Sequence, residues 1–138
     1  MTADQAFALL NLVAVAAWVL LALSPWLPRA TTTLTGKVVP IFFAIVYVVL
    51  IGGNLPGSEG GFSSLPEVAT LFSQPWLLLA GWTHYLAFDL LLGNWELRDA
   101  SKRNIPYLVV LPCLALTFLF GPAGWLIYSI VRTFRKSG

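Results

Sequence analysis

Four side chains that could do chemistry lie close together in one apolar stretch. Residues 74–101 read QPWLLLAGWTHYLAFDLLLGNWELRDAS and contain Thr83, His84, Tyr85 and Asp89. An ionisable group near the centre of a membrane helix costs about 2.5–3.5 kcal/mol, so such a group usually faces a protein interior and has a function. A carboxylic acid can donate a proton and a neutral imidazole can accept one. The sequence therefore makes Asp89 the candidate acid, His84 the candidate base and Tyr85 the group that orients Asp89.

Helical geometry separates the two candidate proton-transfer residues. Successive residues are rotated by about 100°, so positions i, i+4 and i+7 share a face. His84 lies on another face, so it serves one site with Asp89 only if both flank a crevice between neighbouring helices. We predict that both side chains face neighbouring helices rather than lipid. One predicted stripe comprises Trp82, Tyr85, Asp89, Leu92, Glu96 and Asp99.

Each of these residues also has a structural interpretation. The Asp89 carboxyl would fix helix packing if it were hydrogen-bonded to Tyr85, Asn11 or Thr117. His84 would do the same through a hydrogen bond between helices. Its functional alternative is a pigment ligand, because the small Ala80 four residues earlier would let a macrocycle lie against the helix.

Other polar and aromatic residues offer a second pair of interpretations. Glu96, Arg98 and Asp99 have the spacing of an ion network at a membrane interface. The tryptophans are typical of interfacial belts and helix packing. The sharper alternative is a carotenoid-binding groove, with the candidate binding residues Trp82, Asn11 and Trp18.

Composition indicates an integral membrane protein. Of 138 residues, 58% are hydrophobic and only 10% are charged, whereas a soluble domain averages about 25% charged. The net charge of +2 gives no basis for nucleic acid binding. Cys113 is the only cysteine, which excludes an internal disulfide and a thiolate metal cluster. A single histidine excludes bis-histidine haem ligation within one chain, and no metal site or redox cofactor is predicted.

The hydrophobic pattern predicts an all-α protein, a four-helix transmembrane bundle forming one domain over residues 1–138. The helices are predicted at about residues 3–23, 38–53, 75–97 and 105–131. The second is short for a span unless preceding residues extend it. The last should kink at Pro112 and bend or break at Gly121-Pro122. Ser64 and Glu67 predict a capping box that begins a short interfacial helix over residues 65–72, before the third span.

Charge distribution predicts an orientation. Four spans place both termini on one side of the bilayer. The loops after the first and third helices hold five Lys or Arg, against three in the tail, which favours those loops as cytoplasmic. The first residues lack the basic region of a signal peptide, and the bacterial inner membrane is the expected location.

The sequence resembles the abscisic-acid-deficient-four-like family, membrane proteins required for neoxanthin synthesis in plants, and their bacterial relatives. The resemblance rests on WTHYLAFDLLLGNWELRD (82–99), PCLALTFLFGPAG (112–124) and Asn11 before a tryptophan-bearing run. The family often has Arg where this chain has Asn94.

The resemblance implies four membrane helices and a link to carotenoids. The implied chemistry is a redox-neutral isomerisation of a xanthophyll epoxide to an allene, which requires no cofactor. The alternative is a non-catalytic subunit for pigment binding or assembly in a photosynthetic membrane complex, with carotenoid or (bacterio)chlorophyll as the bound pigment. A third alternative is that the polar residues only hold the helices together. The expected partners are the lipid bilayer, an apolar ligand and other membrane subunits, without nucleic acid.

Overall fold

The computed structural model describes residues 1–135, which are helical or irregular without a strand. Four helical segments in this range are long and apolar enough to cross a membrane, which confirms the predicted number: Ala3–Ala22, Thr31–Asn54, Pro75–Lys102 and Tyr107–Thr133. Residues 136–138 of the predicted domain lie outside the described residues. The elements in chain order are α1 (Ala3–Ala22), α2 (Pro28–Thr33), a π-helical turn (Leu34–Val38), α3 (Val39–Asn54), α4 (Leu65–Phe72), α5 (Pro75–Lys102) and α6 (Tyr107–Thr133).

The second long segment begins well before residue 38, the start predicted from the sequence. The π-helical turn joins α2 to α3 without a break, so the helical path runs from Pro28 to Asn54. Thr35, in this turn, donates its hydroxyl to the carbonyl oxygen of Thr31 at 2.7 Å. The extension gives this segment the length of a membrane span, which the residues after Val38 alone lack.

Helix α4 has the predicted bounds but only half of the predicted capping box. The Glu67 N–H donates to the Ser64 hydroxyl at 3.4 Å, so Ser64 is the N-cap. The Glu67 carboxylate accepts from the Ser63 N–H at 3.2 Å instead of the Ser64 N–H. Phe72 at the end of α4 packs on Gly81, where an added Cβ would lie 2.9 Å from the Phe72 ring, and this contact holds α4 against α5.

Helix α5 is the centre of the bundle. Helix α1 runs parallel to it, because Phe7 meets Trp82 and Trp18 meets Gly93. Helix α3 runs antiparallel, since Thr35 in the π-helical turn before it lies at Asn94 and Tyr47 within it lies at His84. Residues 98–102, predicted as loop, form the last turn of α5. The ion pair between Asp99 and Arg103 four residues later supports this extension.

Helix α6 reverses direction at Phe120, whose backbone angles are non-helical (φ −145°, ψ 57°). Before the turn, Tyr107 donates a hydrogen bond to the carbonyl oxygen of Ala22, at the end of α1. After the turn, Gly121 lies against Asp89 and Tyr128 donates to Asp99 at 2.8 Å. The chain after Phe120 therefore runs back towards the end of α5 near which α6 began.

The two parts of α6 form a hairpin, which we call the first arm (residues 107–119) and the second arm (residues 121–133). Each arm is about 20 Å long at 1.5 Å per residue, whereas a bilayer core is about 30 Å thick. Gly124 lies against the backbone of Thr117, so the arms cross closely at a position that excludes a side chain. The predicted break near Gly121-Pro122 is confirmed, but it reverses the chain instead of bending it. Pro112, where a kink is predicted, keeps helical backbone angles.

The hairpin overturns the prediction that both termini lie on one side. The chain begins beside the Pro75 end of α5 and α6 finishes beside the Lys102 end, because Arg132 pairs with Asp99. The described cations all lie in the half of the bundle that ends at Lys102: Arg29, Lys37, Arg98, Lys102, Arg103, Arg132 and Arg135. The predicted division of Lys and Arg between the two sides, five against three, is therefore wrong. Among residues 1–135, one end of the bundle carries the Lys and Arg residues and the other end has none.

Candidate functional site

An apolar groove of about 560 Å³ lies where α1, α4 and the first half of α5 meet. Four of its ten lining residues are aromatic: Phe7, Phe72, Trp82 and Tyr85. Asp4 is the acidic residue at its edge. A cavity of this size falls in the range of small-molecule sites, which are mostly apolar with a few placed polar groups.

Trp82 and Asn11, two of the predicted pigment-binding residues, meet at this groove. The Trp82 indole N–H donates to Asn11 Oδ1 at 2.8 Å. The Trp82 ring stacks on Tyr85, with centroids 5.1 Å apart and planes inclined by 27°. Phe7 packs against the same indole at 5.6 Å. The hydrogen bond fixes the indole, so the groove has a rigid aromatic wall.

Tyr85 connects this wall to the turn in α6. Its hydroxyl donates to the carbonyl oxygens of Leu119 at 3.0 Å and Phe118 at 3.4 Å. Pro122 has no N–H to offer the Phe118 carbonyl, four residues before it. Tyr85 supplies the missing donor. The hydroxyl therefore ties α5 to the turn in α6, and the role of Tyr85 in orienting Asp89 stays a prediction.

Asp89 lies one helical turn beyond Tyr85 and is 8% exposed. Its carboxyl group packs against Gly121, where any Cβ would overlap it. Oδ2 is buried without a hydrogen-bond partner among the described residues. The second arm begins here, and a helix N-terminus favours negative charge. The carboxyl thus supports the turn, and it also keeps one oxygen free.

His84 lies apart from this site. Its side chain is exposed and packs against the rings of Phe88 at 4.7 Å and Tyr47 at 5.7 Å. Within this chain Asp89 faces α6, as predicted, whereas His84 is exposed and contacts α3 through Tyr47. Ala80 is fully buried, so it gives no open surface on which a macrocycle bound to His84 could lie.

Trp18, the third predicted pigment-binding residue, is packed in the core at 8% exposure. An added Cβ at Gly93 would lie 2.6 Å from its indole ring, and Phe118 packs against it at 5.4 Å. It lines a separate apolar cavity of about 220 Å³ between α1 and the first arm of α6. The structure therefore does not bring Trp18 to the groove with Trp82 and Asn11.

The predicted network of Glu96, Arg98 and Asp99 is wrong in two of its members. Glu96 is fully buried, and its carboxyl oxygens accept from the Thr117 hydroxyl at 3.0 and 3.1 Å. Arg98 is exposed. Thr117, predicted as one of three partners for Asp89, is thus the partner of Glu96.

Asp99 forms an ion network with Arg103, four residues later, and with two residues from beyond the turn. It pairs with Arg103 at 3.0 Å and with Arg132 at 3.1 Å, and it accepts from Tyr128. Arg132 also lies over the Trp95 ring, 5.1 Å from its centroid, where the ring face attracts a cation. Four members of the predicted stripe on α5 (Tyr85, Asp89, Glu96 and Asp99) therefore contact α6.

The fold is a small bundle of long apolar helices around a central helix whose polar side chains face inward. This is the class of helical membrane proteins. The chain belongs to the ABA DEFICIENT 4-like family, whose model matches residues 5–128. Comparison with curated proteins and with solved structures gave no match. Among residues 1–135, no group of three or more His, Cys, Asp and Glu side chains is arranged to hold a metal ion.

Proposed function

We propose that this chain is an integral membrane protein that acts on a carotenoid, as a redox-neutral isomerase of xanthophyll epoxides. The observation that carries the proposal is the aromatic groove at Trp82 and Tyr85, one helical turn from the partly unpartnered carboxyl of Asp89. Membership of the ABA DEFICIENT 4-like family supports the choice of carotenoid chemistry.

The groove has the chemical character that a xanthophyll end group requires. A xanthophyll has a long apolar chain and rings that carry a few oxygen atoms. Stacked Trp82 and Tyr85 offer flat apolar surfaces to a ring, and α4 closes one edge of the groove through Phe72. In this proposal α4 lies at the membrane surface, with Leu71 buried against the bundle and Glu67 exposed. A substrate would reach the groove from the lipid side.

The isomerisation needs one proton donated and one removed. The C–O bond at the ring carbon next to the chain breaks, and the epoxide oxygen takes a proton to become a hydroxyl. The neighbouring chain carbon loses its proton, and that C–H electron pair forms the new double bond of the allene. The formula is unchanged, so no oxidant or reductant takes part.

Asp89 can serve in both proton transfers. In the protonated form one carboxyl oxygen donates to the epoxide, and the carboxylate that results accepts the proton from carbon, which restores the acid. Oδ2 makes no hydrogen bond among the described residues, so no other group holds it, and because it is buried the epoxide would have to enter between α5 and the turn in α6 to reach it. His84 lies on another face of α5, so in this scheme it is not the base. Tyr85 holds the turn at Leu119 in place beside the carboxyl.

The non-catalytic alternative rests on the exposure of His84. An imidazole beside Tyr47 and Phe88 on an apolar surface is open to a pigment metal or to a neighbouring subunit. This alternative makes a different prediction for substitution. His84→Gln would then remove a bound pigment band, and Asp89→Asn would not.

The test is conversion of an epoxide xanthophyll by purified protein in lipid nanodiscs, followed by chromatography. Asp89→Asn should leave the protein folded and abolish the product, while His84→Gln should retain full conversion. Thermal stability of each variant separates loss of chemistry from loss of fold. Full conversion by Asp89→Asn would refute the role of Asp89. Loss of a pigment band in His84→Gln alone would favour the pigment-binding subunit.

A further inference from the structure

The cavity of about 220 Å³ that Trp18 lines, between α1 and the first arm of α6, adjoins the aromatic groove. All of the side chains that line this Trp18 cavity are apolar. Tyr85 lines the groove and Phe118 lines the cavity, and the Tyr85 hydroxyl donates to the Phe118 carbonyl oxygen at 3.4 Å. The two spaces therefore meet at this hydrogen bond. The proposed reaction takes place beside the groove and makes no use of the cavity.

One side of α1 runs along both spaces. Successive helical residues are rotated by about 100°, which puts the α1 residues of the groove and those of the cavity on one side of the helix. These residues are Ala3, Asp4 and Phe7 for the groove, and Val15, Trp18, Val19 and Ala22 for the cavity. Asn11 lies between the two sets, where it holds the Trp82 indole. From Asp4 to Ala22 the distance along the axis is about 27 Å at 1.5 Å per residue, and a bilayer core is about 30 Å thick.

This side of α1 is suited to an extended apolar molecule. Phe7, Val15 and Val19 are 43%, 46% and 55% exposed, so the membrane interior reaches them. No residue of α1 after Asp4 is charged. An occupant that follows both spaces must therefore be apolar along most of its length and lie nearly parallel to the helix.

We infer that the Trp18 cavity holds the polyene chain of the xanthophyll whose epoxide ring occupies the aromatic groove, an inference that rests on the proposed function. A polyene is rigid, extended and apolar, as the side of α1 requires. The ring lies between Phe7 and Trp82, and the chain passes Tyr85 towards Trp18. The bond between ring and chain then lies where the two spaces meet, one helical turn from Asp89. The carbons that react in the proposed isomerisation are the ones at this bond.

The length of the chain tests the inference. The protein in lipid nanodiscs is titrated with a full-length xanthophyll epoxide, or with a truncated epoxide that keeps the ring but whose chain ends before the cavity. Quenching of tryptophan fluorescence reports binding, since Trp82 and Trp18 line the two spaces. The full-length epoxide should bind about tenfold more tightly, because the cavity adds packing contacts. Equal dissociation constants, or no saturable binding of either epoxide, would overturn the inference.

A matched pair of variants fills the cavity or spares it. Ala115→Phe adds a ring to the cavity from an exposed position. It should weaken binding of the full-length epoxide about tenfold and leave the truncated epoxide unaffected, which also shows that the variant is folded. Ala16→Phe adds the same ring at an exposed residue of α1 that lines neither space, and should change neither affinity.

Two results with these variants would contradict the inference. If the cavity holds a phospholipid acyl chain instead of the polyene, Ala115→Phe will leave both affinities unchanged. If Ala115→Phe weakens both epoxides equally, the substitution acts on the groove through the fold, and the cavity is not a binding site for the chain.

Asp89→Asn separates this inference from the proposed reaction. The variant should bind both epoxides as the unmodified protein does and convert neither. Tighter binding of the full-length epoxide by the unmodified protein, without conversion, would refute the isomerase and leave the chain in the cavity. Conversion that is insensitive to chain length and to Ala115→Phe would refute the role of the cavity and leave the isomerase.

Discussion

The carboxyl group of Asp89 lies directly against Gly121, at the point where α6 reverses direction. A single contact thus joins the candidate acid to the turn that determines the path of the chain after Phe120. Whatever chemistry Asp89 performs, its position depends on a residue without a side chain. Each end of this contact can be tested separately.

The first prediction concerns Gly121. Gly121→Ala should destabilise the protein by about 1–3 kcal/mol, because the new methyl group would overlap the Asp89 carboxyl. Gly53→Ala is the matched control, since an added Cβ there meets nothing within 4 Å and alanine favours a helix. Thermal unfolding in detergent measures both. Equal stability of the two variants would contradict the close contact at Asp89.

The second prediction concerns the Tyr85 hydroxyl. Tyr85→Phe keeps the ring that stacks on Trp82 but removes the donor to Leu119 and Phe118. Leaving these carbonyls unpaired should cost about 1–3 kcal/mol of stability. Tyr47→Phe serves as control, because its ring packs against His84. If Tyr85→Phe were as stable as Tyr47→Phe, the hydroxyl would have no part in supporting the turn.

The third prediction concerns the buried pair of Glu96 and Thr117. Thr117→Val preserves shape but removes the donor to both Glu96 oxygens, and should destabilise by about 1–3 kcal/mol. The double variant Glu96→Met with Thr117→Val should recover most of the loss, since neither polar partner remains. Thr70→Val, at an exposed hydroxyl, should be nearly neutral. A double variant no more stable than Thr117→Val would argue against pairwise coupling.

The fourth prediction concerns the path of α6. In a Cys113→Ala background, single cysteines at Ser101 and Arg135 should react with a membrane-impermeant thiol reagent from the same side. A cysteine at Ser63 should react from the opposite side. Because the cationic end should face the cytoplasm, the first two should be protected in intact cells. Reaction of positions 63 and 135 from one side would mean that α6 crosses the membrane.

Local pattern was sufficient for the helices and for one face of α5. The long apolar runs, the Ser64 cap and the stripe through Asp89 and Glu96 follow from spacing alone. The turn at Phe120 was predicted as a break, because proline and glycine mark one. The reversal of the chain at this turn was not predicted, because it depends on how closely Gly124 can approach Thr117.

Other wrong predictions also concern contacts between helices, which residue spacing along one helix does not show. Two partners of Asp99, Tyr128 and Arg132, come from the reversed second arm, so no spacing within α5 could identify them. The predicted stripe puts Glu96 on the same face of α5 as Asp89. The burial of Glu96 was not predicted, because Glu96 lies next to the charged segment. His84 was expected to face neighbouring helices because of its polarity, and within this chain it contacts α3 through Tyr47 but is otherwise exposed. Of the predicted site residues, Asn11, Trp82 and Tyr85 lie at the groove and Asp89 one helical turn from it, whereas Trp18 and His84 lie elsewhere, which the sequence could not show.

The hairpin in α6 also explains why the groove exists. A straight α6 would continue alongside the first half of α5 and cover the face between Pro75 and Tyr85. Because the chain turns back at the level of Tyr85 and Asp89, that face has no α6 residue on it, and the groove is lined by α1, α4 and α5 alone. The position of the turn thus determines how much of α5 stays uncovered, and moving it by one helical turn would change the length of the groove.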